Sequence, residues 1–137
     1  MADDSAEEVV IVAENDTMMR GLLRSVLHRP GRATLLCANG REAVLLASQL
    51  AVTLILMDLR MPGMDGLEAC RRIRALPRCG TVPIVIATVF DGEAVQRRVL
   101  EAGATVFLAK PFSLNQLSRT ITPLIEARKR EMIAARP

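Results

Sequence analysis

At four points of the 137-residue chain an apolar run stops at a side chain that can do chemistry. Val9–Ala13 runs into Glu14-Asn15-Asp16, Leu54–Met57 into Asp58, Pro83–Ala87 into Thr88, and Thr105–Ala109 into Lys110-Pro111. Together these supply carboxylates, an amide carbonyl, a hydroxyl and an ammonium. Hard oxygen donors of this kind suit Mg²⁺, which keeps several waters and takes only one or two carboxylates. A carboxylate can also act as a nucleophile toward phosphorus and become an acyl phosphate. A metal ion and a lysine would neutralise charge on the transferring group, while a hydroxyl bonds one of its oxygens. Each residue has a plainer alternative. Asp58 could do no more than cap the following turn, since aspartate is common in turns. Lys110 could be a surface lysine and Thr88 a strand-end hydroxyl. The plainer alternatives must hold at all four places at once, which weakens them.

The elements that would position these groups alternate in type. The short apolar runs suit strands buried on both faces of a parallel sheet. Ala33–Cys37 adds a further short strand, closed by Asn39-Gly40. Between the strands lie helical patterns at Thr17–His28, Arg41–Leu50, Leu67–Leu76, Glu93–Glu101 and Leu114–Arg128 or beyond. Asp16 or Thr17 can cap the first helix, and His28 near Pro30-Gly31 can close it. Five successive βα units predict an α/β fold with a parallel sheet and helices on both faces. Such sheets bind ligands at the carboxyl ends of their strands. The division read from the sequence is an acidic segment at 1–7, one domain at 8–128, and a basic extension of the last helix at 129–137.

Composition narrows the function. Half the residues are hydrophobic, enough for one core. There are three Phe and no Trp or Tyr, so a base-stacking platform is disfavoured. The net charge of +3 is uneven. Asp3, Asp4, Glu7 and Glu8 make the beginning acidic, while Arg128, Lys129, Arg130 and Arg136 make the end basic. That end reads as a solvated helix terminus rather than a nucleic-acid contact. Three cysteines without a CxxC pair read as reduced thiols, with Cys37 in the core. One histidine rules out a His-based metal cluster. No signal-peptide pattern and no membrane-spanning run is visible, so the expected compartment is the cytoplasm.

Three stretches in order carry a family resemblance: Met57-Asp58-Leu59-Arg60-Met61-Pro62-Gly63-Met64-Asp65-Gly66, Ala87-Thr88, and Ala102-Gly103-Ala104 through Phe107-Leu108-Ala109-Lys110-Pro111-Phe112. Over roughly residues 8–127 the chain resembles the receiver domain of two-component response regulators. The resemblance implies a flavodoxin-like, doubly wound sheet of order 2-1-3-4-5. It implies a phosphoryl switch rather than an enzyme, with Asp58 accepting the group from a sensor histidine kinase or phosphotransfer protein. Thr88 and Lys110 would meet the phosphoryl group, and Phe107 falls at the aromatic switch position. Mg²⁺ would be held by Glu14, Asn15, Asp58 and the backbone carbonyl of Arg60. The Lys110-Pro111 bond is expected to be cis. Output would pass through the fourth helix, fifth strand and fifth helix to a downstream target protein, a surface that also admits a homodimer.

The chain departs from the family pattern after its first strand. Two adjacent acids are usual there, and Asn15 stands at the second. With one carboxylate fewer, Mg²⁺ binding should be weak. Asp16 is expected to cap the helix instead. Arg60, Val89 and Phe90 are bulky at positions flanking the approach of water to Asp58, so a long-lived acyl phosphate is expected. Asn15 also motivates another reading, a pseudo-receiver that acts as a phosphorylation-independent interaction module. A phosphatase of the haloacid-dehalogenase kind fits less well, because Arg60 stands where an acid would follow its nucleophile. No helix-turn-helix pattern follows residue 128, so direct DNA binding is not expected.

Overall fold

The computed structural model describes residues 8–136. Strands β1 (Glu8–Ala13), β2 (Arg32–Cys37), β3 (Leu54–Asp58), β4 (Ile84–Thr88) and β5 (Val106–Ala109) alternate with five helices. These are α1 (Thr17–Leu27), α2 (Gly40–Gln49), α3 (Gly66–Arg74), α4 (Glu93–Glu101) and α5 (Leu114–Ala134). The strands are parallel and lie in the order β2-β1-β3-β4-β5.

Alternation along each strand divides the core between two faces. Ile11, Ala13, Ile55, Met57, Ile84 and Ile86 pack on one side against Ala43 and Ala47 of α2, Ala69 and Ile73 of α3, and Val99 of α4. Val10, Val12, Leu54, Leu56 and Val85 pack on the other against Leu23 and Leu27 of α1 and Leu117, Ile121 and Ile125 of α5. Both faces are covered, which is why β1, β3 and β4 read as unbroken apolar runs.

The register sets the site. Ala13 lies beside Met57, Asp58 beside Ala87, and Thr88 beside Ala109. Glu14 and Lys110, which follow β1 and β5, and Asp58 and Thr88, which end β3 and β4, therefore lie along one edge. Helix caps hold the loops there: Asp16 accepts from Met18 N–H, Asp65 from Glu68 N–H, and Ser113 from Gln116 N–H with a reciprocal bond. Gly66 lets α3 begin against the end of β3, since a Cβ there would lie 2.5 Å from the Asp58 carbonyl oxygen. The Lys110-Pro111 bond is cis.

Two expectations about charge need correction. Glu8 opens β1, where it is buried and pairs with Arg32 at 2.8 Å and Lys129 at 3.0 Å. Arg128 is not part of a solvated end. It is 9% exposed and donates to the Val52 and Arg78 carbonyls and to Thr81 and Glu131. The reason is the length of α5, which carries these residues past the amino ends of the strands. Asp3, Asp4 and Glu7 lie outside the described residues. All three cysteines are free and buried, and burial with the nearby Glu42 charge pushes the Cys37 thiol up to about 11.

Candidate functional site

At the carboxyl end of the sheet three ionisable side chains converge. Lys110 Nζ lies 2.6 Å from Glu14 Oε1 and 3.2 Å from Asp58 Oδ2. The lysine side chain is 12% exposed and that of Asp58 15%. Burial disfavours the Lys110 ammonium. The Glu14 hydrogen bond and the charges of Asp58 and Glu14 outweigh it, so its pKa rises above the ordinary lysine value. Two carboxylates around one ammonium leave the cluster with an excess negative charge.

Both carboxylate oxygens of Glu14 have hydrogen-bond partners. Its Oε1 receives Lys110, and its Oε2 accepts from the Asp16 N–H at 3.0 Å. Each carboxylate oxygen keeps a second lone pair, so Glu14 can still meet a metal ion or a metal-bound water while holding both partners. In this arrangement it aims the lysine at Asp58. Arg20 braces the same loop by donating to the Glu14 carbonyl at 2.8 Å and reaching the Asn15 carbonyl at 3.4 Å. Nothing in its residue type alone marks Arg20 for this role, and its position in the first turn of α1, just beyond Glu14-Asn15-Asp16, is the one signal in the chain order.

Asn15, Arg60, Val89 and Phe90 border two adjoining spaces. An open cleft of about 460 Å³ is lined by Glu14, Asn15, Asp16, Met19, Asp58, Arg60, Val89, Lys110 and Pro111. Beside it lies a niche of about 230 Å³ lined by Leu59, Arg60, Asp65, Leu67, Phe90, Val95 and Arg98. Arg60 borders both, and its guanidinium carbon sits 4.5 Å from the centre of the Phe90 ring. Val89 is 63% exposed at the rim. Phe90 thus borders the niche and meets the cleft through Arg60. Thr88 is buried, and its Oγ1 accepts from the Phe90 N–H at 3.4 Å. Phe107 is partly buried against the core face that holds α2, α3 and α4.

The donors suit Mg²⁺ in kind. Asp58, the Asn15 amide carbonyl and backbone carbonyls are hard oxygens, and water can complete an octahedron. They are sparse in charge. Asp16 caps α1, Glu14 is bound to Lys110, and among the described residues no group of three or more His, Cys, Asp or Glu is gathered to hold a metal.

Comparison with known proteins agrees with this geometry. The profile of the response regulator receiver domain matches residues 10–122. The transcriptional regulatory protein ResD of Bacillus subtilis is 34% identical over 123 residues, 90% of this chain and 50% of ResD. The signal transduction histidine-protein kinase BarA of Escherichia coli K12 is 32% identical over 85% of this chain and 13% of the kinase. The chain thus spans half the length of ResD and far less of BarA. The receiver domain of the sensor histidine kinase PA1611 of Pseudomonas aeruginosa, solved with magnesium in its active site cleft, superposes with a TM-score of 0.80. It is 31% identical, and the match covers 87% of this chain and 98% of that one. Profile, relatives, strand order and the strand-end cluster agree: this chain belongs to the response regulator receiver domain family of two-component signalling.

Proposed function

We propose that the chain is a phosphoryl-accepting switch with Asp58 as the acceptor. The observation that carries this is the Asp58 carboxylate at the end of a central strand with Lys110 Nζ 3.2 Å away. One Asp58 oxygen attacks the phosphorus of a phosphohistidine on a sensor kinase or phosphotransfer protein. The P–N bond breaks, and the imidazole leaves with its electron pair. Lys110 and the Thr88 hydroxyl then bind phosphoryl oxygens, and Glu14 keeps Lys110 aimed. When bound, Mg²⁺ would neutralise charge on the group, and Asp58, Asn15 and the Arg60 carbonyl would hold it. Thr88 and Phe107 carry the change to α4, β5 and α5, the surface offered to a downstream target or to a second copy. The chain is a switch rather than a turnover enzyme, working in the cytoplasm without direct nucleic-acid contact. Arg60, Val89 and Phe90 slow attack by water on the acyl phosphate.

A second reading remains in view because Asn15 and the engagement of both Glu14 oxygens leave few free anionic donors. In it the fold is a phosphorylation-independent interaction module. Mass spectrometry after incubation with acetyl phosphate and Mg²⁺ decides between them. The switch requires a gain of one phosphoryl group that disappears in Asp58→Asn. No gain, or a gain that survives the substitution, supports the module or another acceptor.

A further inference from the structure

Phe90 is held at two points, and both tethers are groups that the phosphoryl switch proposed above would recruit. Its backbone N–H donates to Thr88 Oγ1 at 3.4 Å, a bond already long. Its ring lies under the Arg60 guanidinium at 4.5 Å. Arg60 stands two residues after Asp58 and borders the cleft as well as the niche that contains Phe90. Arg60 therefore stands at the boundary between the two spaces. Arg98 borders the same niche and adds a like charge, while Asp65 adds an opposite one whose Oδ1 already accepts from Glu68 N–H. An exposed cation–π contact is a weak hold. A guanidinium bonded to a phosphoryl oxygen is a charge-assisted contact and the stronger of the two.

We infer that Phe90 is a resting dock for Arg60, released when Asp58 is phosphorylated. The incoming dianion draws the guanidinium off the ring and turns the Thr88 hydroxyl toward the cleft. One event then removes both tethers. Phe90 is 39% exposed and lies between β4 and α4, so its release changes the surface just before α4. Phe90 acts as a positioning residue for Arg60 and as a surface reporter of the acceptor's state. This is separate from the inward-turning role expected of Phe107, which lies on β5.

Arginine side-chain NMR on the 137-residue chain tests the idea, because ring current moves the Arg60 Hδ and Hε resonances upfield while it rests on Phe90. In the unloaded protein these resonances should lie upfield of their positions in Phe90→Leu, with amide spectra distant from the two loops unchanged. Equal positions would overturn the dock. Acetyl phosphate with Mg²⁺ should then move the wild-type resonances away from the ring-shifted position. Asp58→Asn under the same conditions should keep them there. If mass spectrometry shows Asp58 phosphorylated while the upfield shift persists, the release fails and the switch reading stands. If Asp58 takes no phosphoryl group, the switch reading fails and the release falls with it. Should Phe90→Leu misfold, Arg60→Lys takes its place: it keeps the charge and loses the planar stack, so the Phe90 ring protons should shift in it relative to the wild type.

Discussion

The two ends of the sheet hold similar charges in opposite arrangements. At the amino ends Glu8 has two cationic partners, Arg32 and Lys129, and Arg128 places its guanidinium among two carbonyls, a hydroxyl and a carboxylate. At the carboxyl ends two carboxylates share the single ammonium of Lys110, beside an open cleft. The first arrangement satisfies its buried groups and ties α5 to β1 and to the loops before β3 and β4. The second keeps negative charge in excess where a cation or a phosphoryl group's counter-ions would be welcome. Buried ions left partnerless cost several kcal/mol, so the two ends should respond differently to substitution.

The largest effect should come from Arg128→Ala. It strips the Val52 and Arg78 carbonyls of their donor and should cost about 3 kcal/mol of stability, read as a lowered denaturant midpoint. A loss below about 1 kcal/mol would show that water replaces the guanidinium and that the contacts at the amino ends of the strands contribute little to stability.

Glu8→Gln should cost about 2 kcal/mol at neutral pH, because Arg32 would then face a neutral amide in a buried setting. The pH dependence has a definite sign. Burial raises the Glu8 pKa, but the Arg32 and Lys129 hydrogen bonds and charges overcome this and hold it below its ordinary 4.5. A depressed carboxylate contributes stability above the unfolded value, and that contribution is lost as pH falls through the folded value. The wild type should therefore lose part of its advantage over Glu8→Gln below about pH 4.5. Parallel stability curves through the acid range would remove Glu8 from the account.

At the other end, Asn15→Asp adds charge where a metal would profit from it. A unit charge about 4 Å from a divalent ion, at an effective dielectric near 20, is worth about 8 kcal/mol before solvation offsets most of it. A roughly tenfold tighter Mg²⁺ dissociation constant by titration calorimetry is expected, about 1.4 kcal/mol. Equal affinities would mean that Asp16 or Glu14 already supplies the charge that Asn15 lacks.

The smallest effect is on the β2 edge. Thr34 Oγ1 is buried without a hydrogen-bond partner. Thr34→Val keeps the shape and removes the unsatisfied hydroxyl, so it should be neutral or stabilising by up to about 1 kcal/mol in thermal unfolding. A clear destabilisation would point to a water bonded to that hydroxyl.

Much of this molecule is legible in its residues taken in order. The strands announce themselves because a strand buried on both faces has to be apolar at every position, and the strand-end residues follow from where each run stops. Asp58, Thr88, Lys110 and the Glu14-Asn15-Asp16 triplet were visible that way, as was the capping role of Asp16. Partnership was not visible. Glu14 meets Lys110 across 96 residues, Asp58 meets Lys110 across 52, and Glu8 meets Lys129 across 121. A charge is a local property of the chain, while its partner depends on which elements the strand order makes neighbours. For that reason Arg128 and Lys129 looked like a solvated end, Glu8 looked like part of an acidic start, and the seating of Arg60 on Phe90 went unread. Local apolar patterning is enough to specify strands, helices and the edge that carries the chemistry. Only the packed sheet, with α5 reaching back past the start of β1, decides which of these charges stabilise the fold and which are left for function.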